Sequence, residues 1–211
     1  LHSLHLQMSC GMYIQDLYVW LLLWLWKAEG YNDFVSKNPI VVKILPKAVE
    51  LVEGVEVNYY DDLATAVESA ESAATIRLYK DVVSRGVKID AGKDVEIDLN
   101  GFTFTPNVPV GSTNTVTLGL QPLKGSVVSI KNGTIKAGQP GIKMLINNYS
   151  DLTLENVVLD GRGLVGTGSN YVLSNNFGNV VIKGNTQILT DENDIAFDLW
   201  YGMYDVYNDG V

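Results

Sequence analysis

The sequence predicts an all-β chain whose short strands stack coil upon coil, and three observations carry the prediction. First, four segments repeat one pattern: Val-Glu-Ile-Asp-Leu-Asn-Gly (95–101), Val-Ser-Ile-Lys-Asn-Gly (128–133), Leu-Thr-Leu-Glu-Asn (152–156) and Val-Val-Ile-Lys-Gly-Asn (180–185). With a fainter copy at Thr-Ile-Arg-Leu (75–78), their central apolar residues form the series Ile76, Ile97, Ile130, Leu154 and Ile182, spaced by 21, 33, 24 and 28 residues. Repeats of this length signal units that bury their apolar faces only against their neighbours. Second, each repeat alternates apolar and polar residues, as in Val95-Ile97-Leu99 and Leu152-Leu154, and is bounded by Asn and Gly. Such alternation belongs to strands, and no long 3.6-residue period runs through 75–211. Third, the residues following the anchors are Arg77, Asp98, Lys131, Glu155 and Lys183, which alternate in sign. Parallel stacking would set each above the next, where opposite charges attract by roughly 0.2–1 kcal/mol per pair. The fold expected is a parallel β-helix with this charge ladder on an outward face.

Taken in order, residues 1–38 stand apart as an apolar N-terminal docking segment. The run Leu17–Trp26 holds Trp20, Trp24 and Trp26, three of the four tryptophans. Ten residues fall short of the ~20 that cross a bilayer, so no membrane span is expected. Two His precede the run, Asp16 flanks it and no small-residue cleavage site follows, a poor fit to a signal peptide. A surface so rich in Trp and Leu implies a partner surface, with Trp20, Trp24 and Trp26 as docking residues.

Residues 39–74 read as a lead-in. Alternation at 40–45 and 50–57 predicts one or two strands. The period then changes: Leu63, Ala66, Val67 and Ala70 follow helical spacing, with Asp61 or Asp62 placed to cap the first turn. Such a helix would cover the apolar end of the stack, where bare strand edges invite aggregation.

Residues 75–211 are the expected stack. The step from Ile97 to Ile130 carries a Pro, Gly, Ser and Thr-rich excursion from Pro106 to Thr115. Asn100, Asn132, Asn156 and Asn185 follow the anchors by two or three residues. Asn tolerates the left-handed backbone of a sharp turn, so these residues predict a structural Asn stack. At 203–211 the pattern predicts the beginning of another coil, with Val206 placed 24 residues after Ile182; the stack is expected to continue past Val211.

Ile-Asp-Leu-Asn-Gly-Phe-Thr-Phe (97–104), Lys-Asn-Gly-Thr-Ile (131–135) and Leu-Thr-Leu-Glu-Asn-Val-Val-Leu-Asp-Gly (152–161) carry a resemblance to the right-handed parallel β-helix group, the pectate-lyase-like superfamily. These motifs specify the coil and its turns, and they recur in bacterial surface proteins, phage fibre proteins and enzymes alike. The resemblance therefore implies fold more than chemistry. A capping helix followed by a first strand is usual in the surface-protein members.

Composition narrows the function. A formal charge of −9 excludes the basic footprint of nucleic-acid binding. The single Cys10 excludes an intrachain disulfide framework. The resemblance implies acidic polysaccharides as enzyme substrates, cleaved by clustered carboxylates with a His or by Ca²⁺-binding acids with an Arg or Lys base. Only His2 and His5 are present, both outside the coils. Asp160 and Arg162 are the nearest lyase candidates, but a carboxylate and a guanidinium two residues apart in a Gly-rich turn more often make a turn-stabilising pair, so no catalytic residue is expected. Asp191 to Asp194 form an acidic turn without the ligand spacing of a calcium loop, so no metal or cofactor is expected. Phe197, Trp200, Tyr201, Tyr204 and Tyr207 are the aromatic candidates, with Trp200, Tyr201, Tyr204 and Tyr207 as binding residues for a surface glycan or a protein partner. The expectation is a non-catalytic structural or adhesive module of a virion, a phage head or tail fibre at the virion surface, assembled as a homo-oligomer (a trimer) or into a larger assembly through the N-terminal segment. The alternatives are a bacterial cell-surface or secreted adhesin stalk and, third, a polysaccharide-degrading enzyme.

Overall fold

The computed structural model describes residues 47–71, 73–112, 115–138 and 141–200, together with one pair of two-residue strands nearer the N-terminus. The chain divides into two compact units, Leu1–Pro46 and Lys47–Val211. In the first, β1 (Val19–Trp20) pairs antiparallel with β2 (Val41–Val42), setting Trp20 opposite Val41.

Among its described residues, the second unit is all-β apart from one short helix. Its elements are β3 (Val49–Glu53), β4 (Glu56–Tyr60), α1 (Leu63–Ser69), β5 (Ala73–Leu78), β6 (Val82–Arg85), β7 (Val87–Ile89), β8 (Asp94–Asp98) and β9 (Thr103–Val108). They continue with β10 (Leu118–Pro122), β11 (Val127–Lys136), β12 (Met144–Asn148), β13 (Asp151–Asp160), β14 (Tyr171–Asn176), β15 (Asn179–Lys183), β16 (Gln187–Leu189) and β17 (Ile195–Trp200). From β5 onward every pairing between these strands is parallel. One sheet runs β15-β13-β11-β8-β5-β3-β4 and another β17-β14-β12-β10-β7. A third series pairs β6 with β9, β9 with the end of β11, and the end of β13 with β16.

The expected anchors are register partners: Ile76 with Ile97, Ile97 with Ile130, Ile130 with Leu154, and Leu154 with Ile182. The first four are fully buried, and they join Val95, Val128 and Leu152 in one apolar core. Period-two alternation sends these residues to one side of the sheet and Thr75, Glu96, Ser129 and Thr153 to the other.

β11 and β13 each run ten residues because they turn a corner at Asn132 (φ 57°) and Asn156 (φ 54°) without losing their pairing. The short Asn side chain makes this left-handed backbone accessible. Asn132 is followed by Gly133, where a Cβ would lie 2.5 Å from Leu99 Cβ and 2.6 Å from the Phe102 carbonyl oxygen. Of the four Asn expected to stack, Asn132 and Asn156 share this corner position, and Asn132 Nδ2 donates to Asp98 Oδ1 at 3.2 Å. Asn100 is left-handed too (φ 51°), but two extra residues separate it from that row, and its Nδ2 donates to the Leu78 carbonyl at 3.0 Å. After Lys183 the left-handed position passes to Gly184 (φ 59°), while the Asn185 N–H donates to Asn156 Oδ1 at 3.0 Å.

Strands and a short helix precede β5, with boundaries that packing decides. β3 and β4 form an antiparallel hairpin, and β3 also pairs antiparallel with β5. Leu63, Ala64, Ala66 and Val67 of α1 are buried, and Ala70 beyond it is buried as well. Asp62 is the N-cap: Oδ1 accepts from the Thr65 N–H and Oδ2 from the Thr65 hydroxyl, both at 2.8 Å. The helix ends at Ser69 because Ala70 is extended (φ −63°, ψ 132°) and Ala73 and Ala74 are needed in β5 opposite Asp94 and Val95. Lys93, from the turn before β8, extends its Nζ to the carbonyls of Val67 at 2.8 Å and Glu68 at 3.0 Å. A cation there satisfies carbonyls that a helix C-terminus otherwise leaves without partners. Asp62→Ala is expected to lower stability by about 0.5–2 kcal/mol, read as a urea-midpoint shift at unchanged slope. A loss below about 0.3 kcal/mol would show that α1 is held by packing alone.

Candidate functional site

The Asp160–Arg162 pair arises where β13 ends. Asp160 is buried at the strand terminus, and Arg162 folds back on it across Gly161. Arg162 Nε donates to Asp160 Oδ1 at 2.7 Å and Nη2 donates to Oδ2 at 2.9 Å, so the guanidinium grips both carboxylate oxygens. The Arg162 N–H adds a third bond to Oδ1 at 3.3 Å. The bonds from Arg162 hold the Asp160 carboxyl below the usual carboxylate range, and those same bonds raise Arg162 above the usual guanidinium value. Neither group is thereby poised to exchange a proton near neutral pH, which is what a lyase base must do.

The pair has a testable acid signature. A carboxyl whose folded pKa is depressed contributes stability that is present above its unfolded pKa of about 3.9 and is lost as pH falls through the folded value. Arg162→Ala is therefore expected to lower Tm above about pH 5 and to shrink the difference from the parent below about pH 3. A difference in Tm that stays constant across that range would refute the linkage.

The acidic turn after β16 serves the neighbouring loop. Asp191 Oδ2 accepts from the Gly163 N–H at 2.8 Å, and Asp194 Oδ1 accepts from Asn170 Nδ2 at 2.9 Å. Both carboxylates therefore stitch the 161–170 loop to the strand that follows. Among the described residues, no three His, Cys, Asp or Glu side chains are grouped to hold a metal ion, and no helix is long and apolar enough to cross a membrane.

The apolar surface on β15 and β17 is the stronger candidate for contact. Ile182 continues the buried anchor column yet is 46% exposed, because it lies on β15, the last strand described in its sheet. Phe197 sits in register with buried Leu173 and is itself exposed; Leu199 and Trp200 are 67% and 49% exposed. Columns that are core elsewhere come to the surface here. Strand alternation sends Phe197 and Leu199 to one side of β17 and Trp200 to the other, so Phe197 and Trp200 do not share a face. Of the proposed binding residues, only Trp200 is described; Tyr201, Tyr204 and Tyr207 lie outside the described residues. Trp20 belongs to the β1–β2 pair, and Trp24 and Trp26 also lie outside the described residues.

One polar cluster escaped the sequence reading. Asn148 is completely buried; its Nδ2 donates to Asn175 Oδ1 at 2.7 Å and to the Ser150 carbonyl at 3.0 Å. Its Oδ1 accepts from the Ser150 hydroxyl at 2.7 Å and the Ser150 N–H at 3.1 Å. Asn148 and Asn175 are register partners on β12 and β14, so the cluster fixes the corner leading from each of these strands into the next. The signal available was the doublet Asn147-Asn148 recurring as Asn175-Asn176.

No family model matches the chain, and neither a curated protein nor a solved structure matches it.

Proposed function

We propose that the chain winds as a right-handed parallel β-helix and serves as a non-enzymatic structural or adhesive module of a larger surface assembly. The phage head or tail fibre is the first setting, and a bacterial cell-surface adhesin stalk is the second. The observation that supports this reading is the unbroken register of Ile76, Ile97, Ile130, Leu154 and Ile182 through successive parallel strands. A scaffold in which each layer is held by two neighbours is stiff along its axis and extends by adding layers. Such a body suits spacing and display. The exposed strand β17, with Phe197 and Leu199 on one side and Trp200 on the other, is where the module would meet a neighbour or a glycan.

The polysaccharide-degrading reading is weaker because Asp160 and Arg162 neutralise each other across two short bonds. The deciding experiment incubates the full chain with a panel of uronate polymers in the presence of Ca²⁺ and follows the ultraviolet absorbance of unsaturated product. No turnover is expected on any polymer. Turnover that disappears in Arg162→Ala would replace the structural reading with a lyase.

A further inference from the structure

The outward row of the longest sheet carries information beyond the stability of one chain. From β3 onward, its charged members among the described residues are Glu50, Arg77, Asp98, Lys131, Glu155 and Lys183, each the register partner of the next. The signs run minus, plus, minus, plus, minus, plus. An alternating row with an even number of charges has a special symmetry: read backwards, it is its own complement. We infer that this sheet face is a self-association surface, and that a second copy of the chain docks on it through a two-fold axis lying in the interface, parallel to the strands and between β8 and β11.

The axis follows from the charges. Rotation about a line parallel to the strands reverses the stacking order and keeps the strand direction. Glu50 then faces Lys183 of the second copy and Arg77 faces its Glu155, both contacts repeated by symmetry; Asp98, buried and held by Arg77, the Asn100 N–H and Asn132 Nδ2, opposes its Lys131 in sign without a direct pair. Rotation about the stacking axis instead would set Arg77 on Arg77 and Glu155 on Glu155, which repel. A closed two-fold contact is also what a self-complementary patch produces.

The adjoining row agrees. It consists of Val52, Thr75, Glu96, Ser129, Thr153 and Val181. The same rotation brings Val52 onto the exposed Val181, Thr75 onto Thr153, and Glu96 onto Ser129, with no like charges opposed. Small Ser and Thr side chains leave the face flat, and sheets that pack face to face lie about 10 Å apart, a gap that long charged side chains can bridge.

The ion pairs inside one chain leave the right groups free. Arg77 Nε lies 3.4 Å from Asp98 Oδ2, and Lys131 Nζ lies 2.7 Å from Glu96 Oε1. Among the described residues no ion pair joins Glu155 or Lys183, and Glu50 accepts a hydrogen bond from the Tyr79 hydroxyl rather than from a cation. These three meet Arg77, Glu50 and Lys183 of the second copy.

Glu50 and Lys183 supply a decisive test because they sit five strand steps apart in one chain, roughly 24 Å at about 4.8 Å per step, and touch only between chains. The full chain is studied by sedimentation velocity and light scattering over a concentration series at about 20 mM and about 1 M NaCl, where screening shortens from tens of ångströms to about 3 Å. The parent is expected at twice 23.1 kDa in low salt and as a monomer in high salt. Lys183→Glu and Glu50→Lys should each weaken the pair by about tenfold or more, since symmetry counts every change twice. The double variant should regain affinity to within about threefold of the parent. Circular dichroism and Tm confirm that all four chains are folded. A parent that is monomeric throughout, a trimer, a pair indifferent to salt or to the single changes, or a double variant as weak as the singles would each overturn the inference.

Discussion

Ile130→Ala is expected to destabilise the second unit by about 2–5 kcal/mol, whereas Ile182→Ala, in the same column, should cost about 1–2 kcal/mol. Ile130 is fully buried between Ile97 and Leu154, its register partners on both sides. Truncating it removes apolar surface from the core and leaves a cavity that two rigid neighbouring strands cannot collapse to fill. Ile182 has Leu154 on one side and is 46% exposed, so less transfer energy is lost and solvent can occupy the space. Urea denaturation followed by circular dichroism would measure both. Equal losses at the two positions would mean that Ile182 is as enclosed as Ile130, and the exposed end inferred for β15 would be wrong.

Asn148→Ala should have a comparable effect by a different cause, about 3–5 kcal/mol. The side chain removed is small, so little apolar burial is lost. What remains is a set of groups that lose the partner Asn148 supplied: the Ser150 N–H and hydroxyl, and Asn175 Oδ1; the Ser150 carbonyl keeps the Asn179 N–H at 2.9 Å, and the Asn179 carbonyl, which Asn148 Nδ2 reaches at 3.3 Å, belongs to an exposed residue. Each such group costs about 1–3 kcal/mol when it cannot reach water. Asn148→Asp separates hydrogen bonding from size. The introduced carboxylate keeps the acceptor role but faces three acceptors with nothing to donate, at a fully buried position. Its folded pKa should rise above the unfolded value of about 3.9. The deficit of Asn148→Asp against the parent should therefore be small below that value and grow as pH rises through the folded pKa. A deficit that does not change with pH would show that the corner is held by shape and not by donated hydrogen bonds.

Much of the architecture was legible along the chain. The anchors, the sign alternation after them and the helix from Leu63 were all readable, and each corresponds to an observed row or element. Those features repeat in sequence because every layer solves the same packing problem, so one alignment exposes the shared rows. The contact partners were less legible. Lys131 lies beside Asp98 in register yet pairs with Glu96, because the Asp98 carboxylate is already taken by the Asn100 N–H at 3.0 Å, Asn132 Nδ2 at 3.2 Å and Arg77. Long side chains reach diagonal neighbours as readily as direct ones. The Asp160–Arg162 pair was readable as a motif, but its bidentate closure depended on how the chain turns after β13.

The order of apolar and polar residues, together with the recurrent Asn and Gly, was sufficient to set which residues share a row and which side of the strand each faces. Alternation is a local property of extended backbone, and parallel pairing only repeats it from layer to layer. Exposure within a row, the partner chosen by each charge, and the burial of Asn148 against Asn175 belong to the tertiary structure alone. They depend on how many strands lie above and below a position and on which donors reach an acceptor first, and residues far apart in the chain decide both.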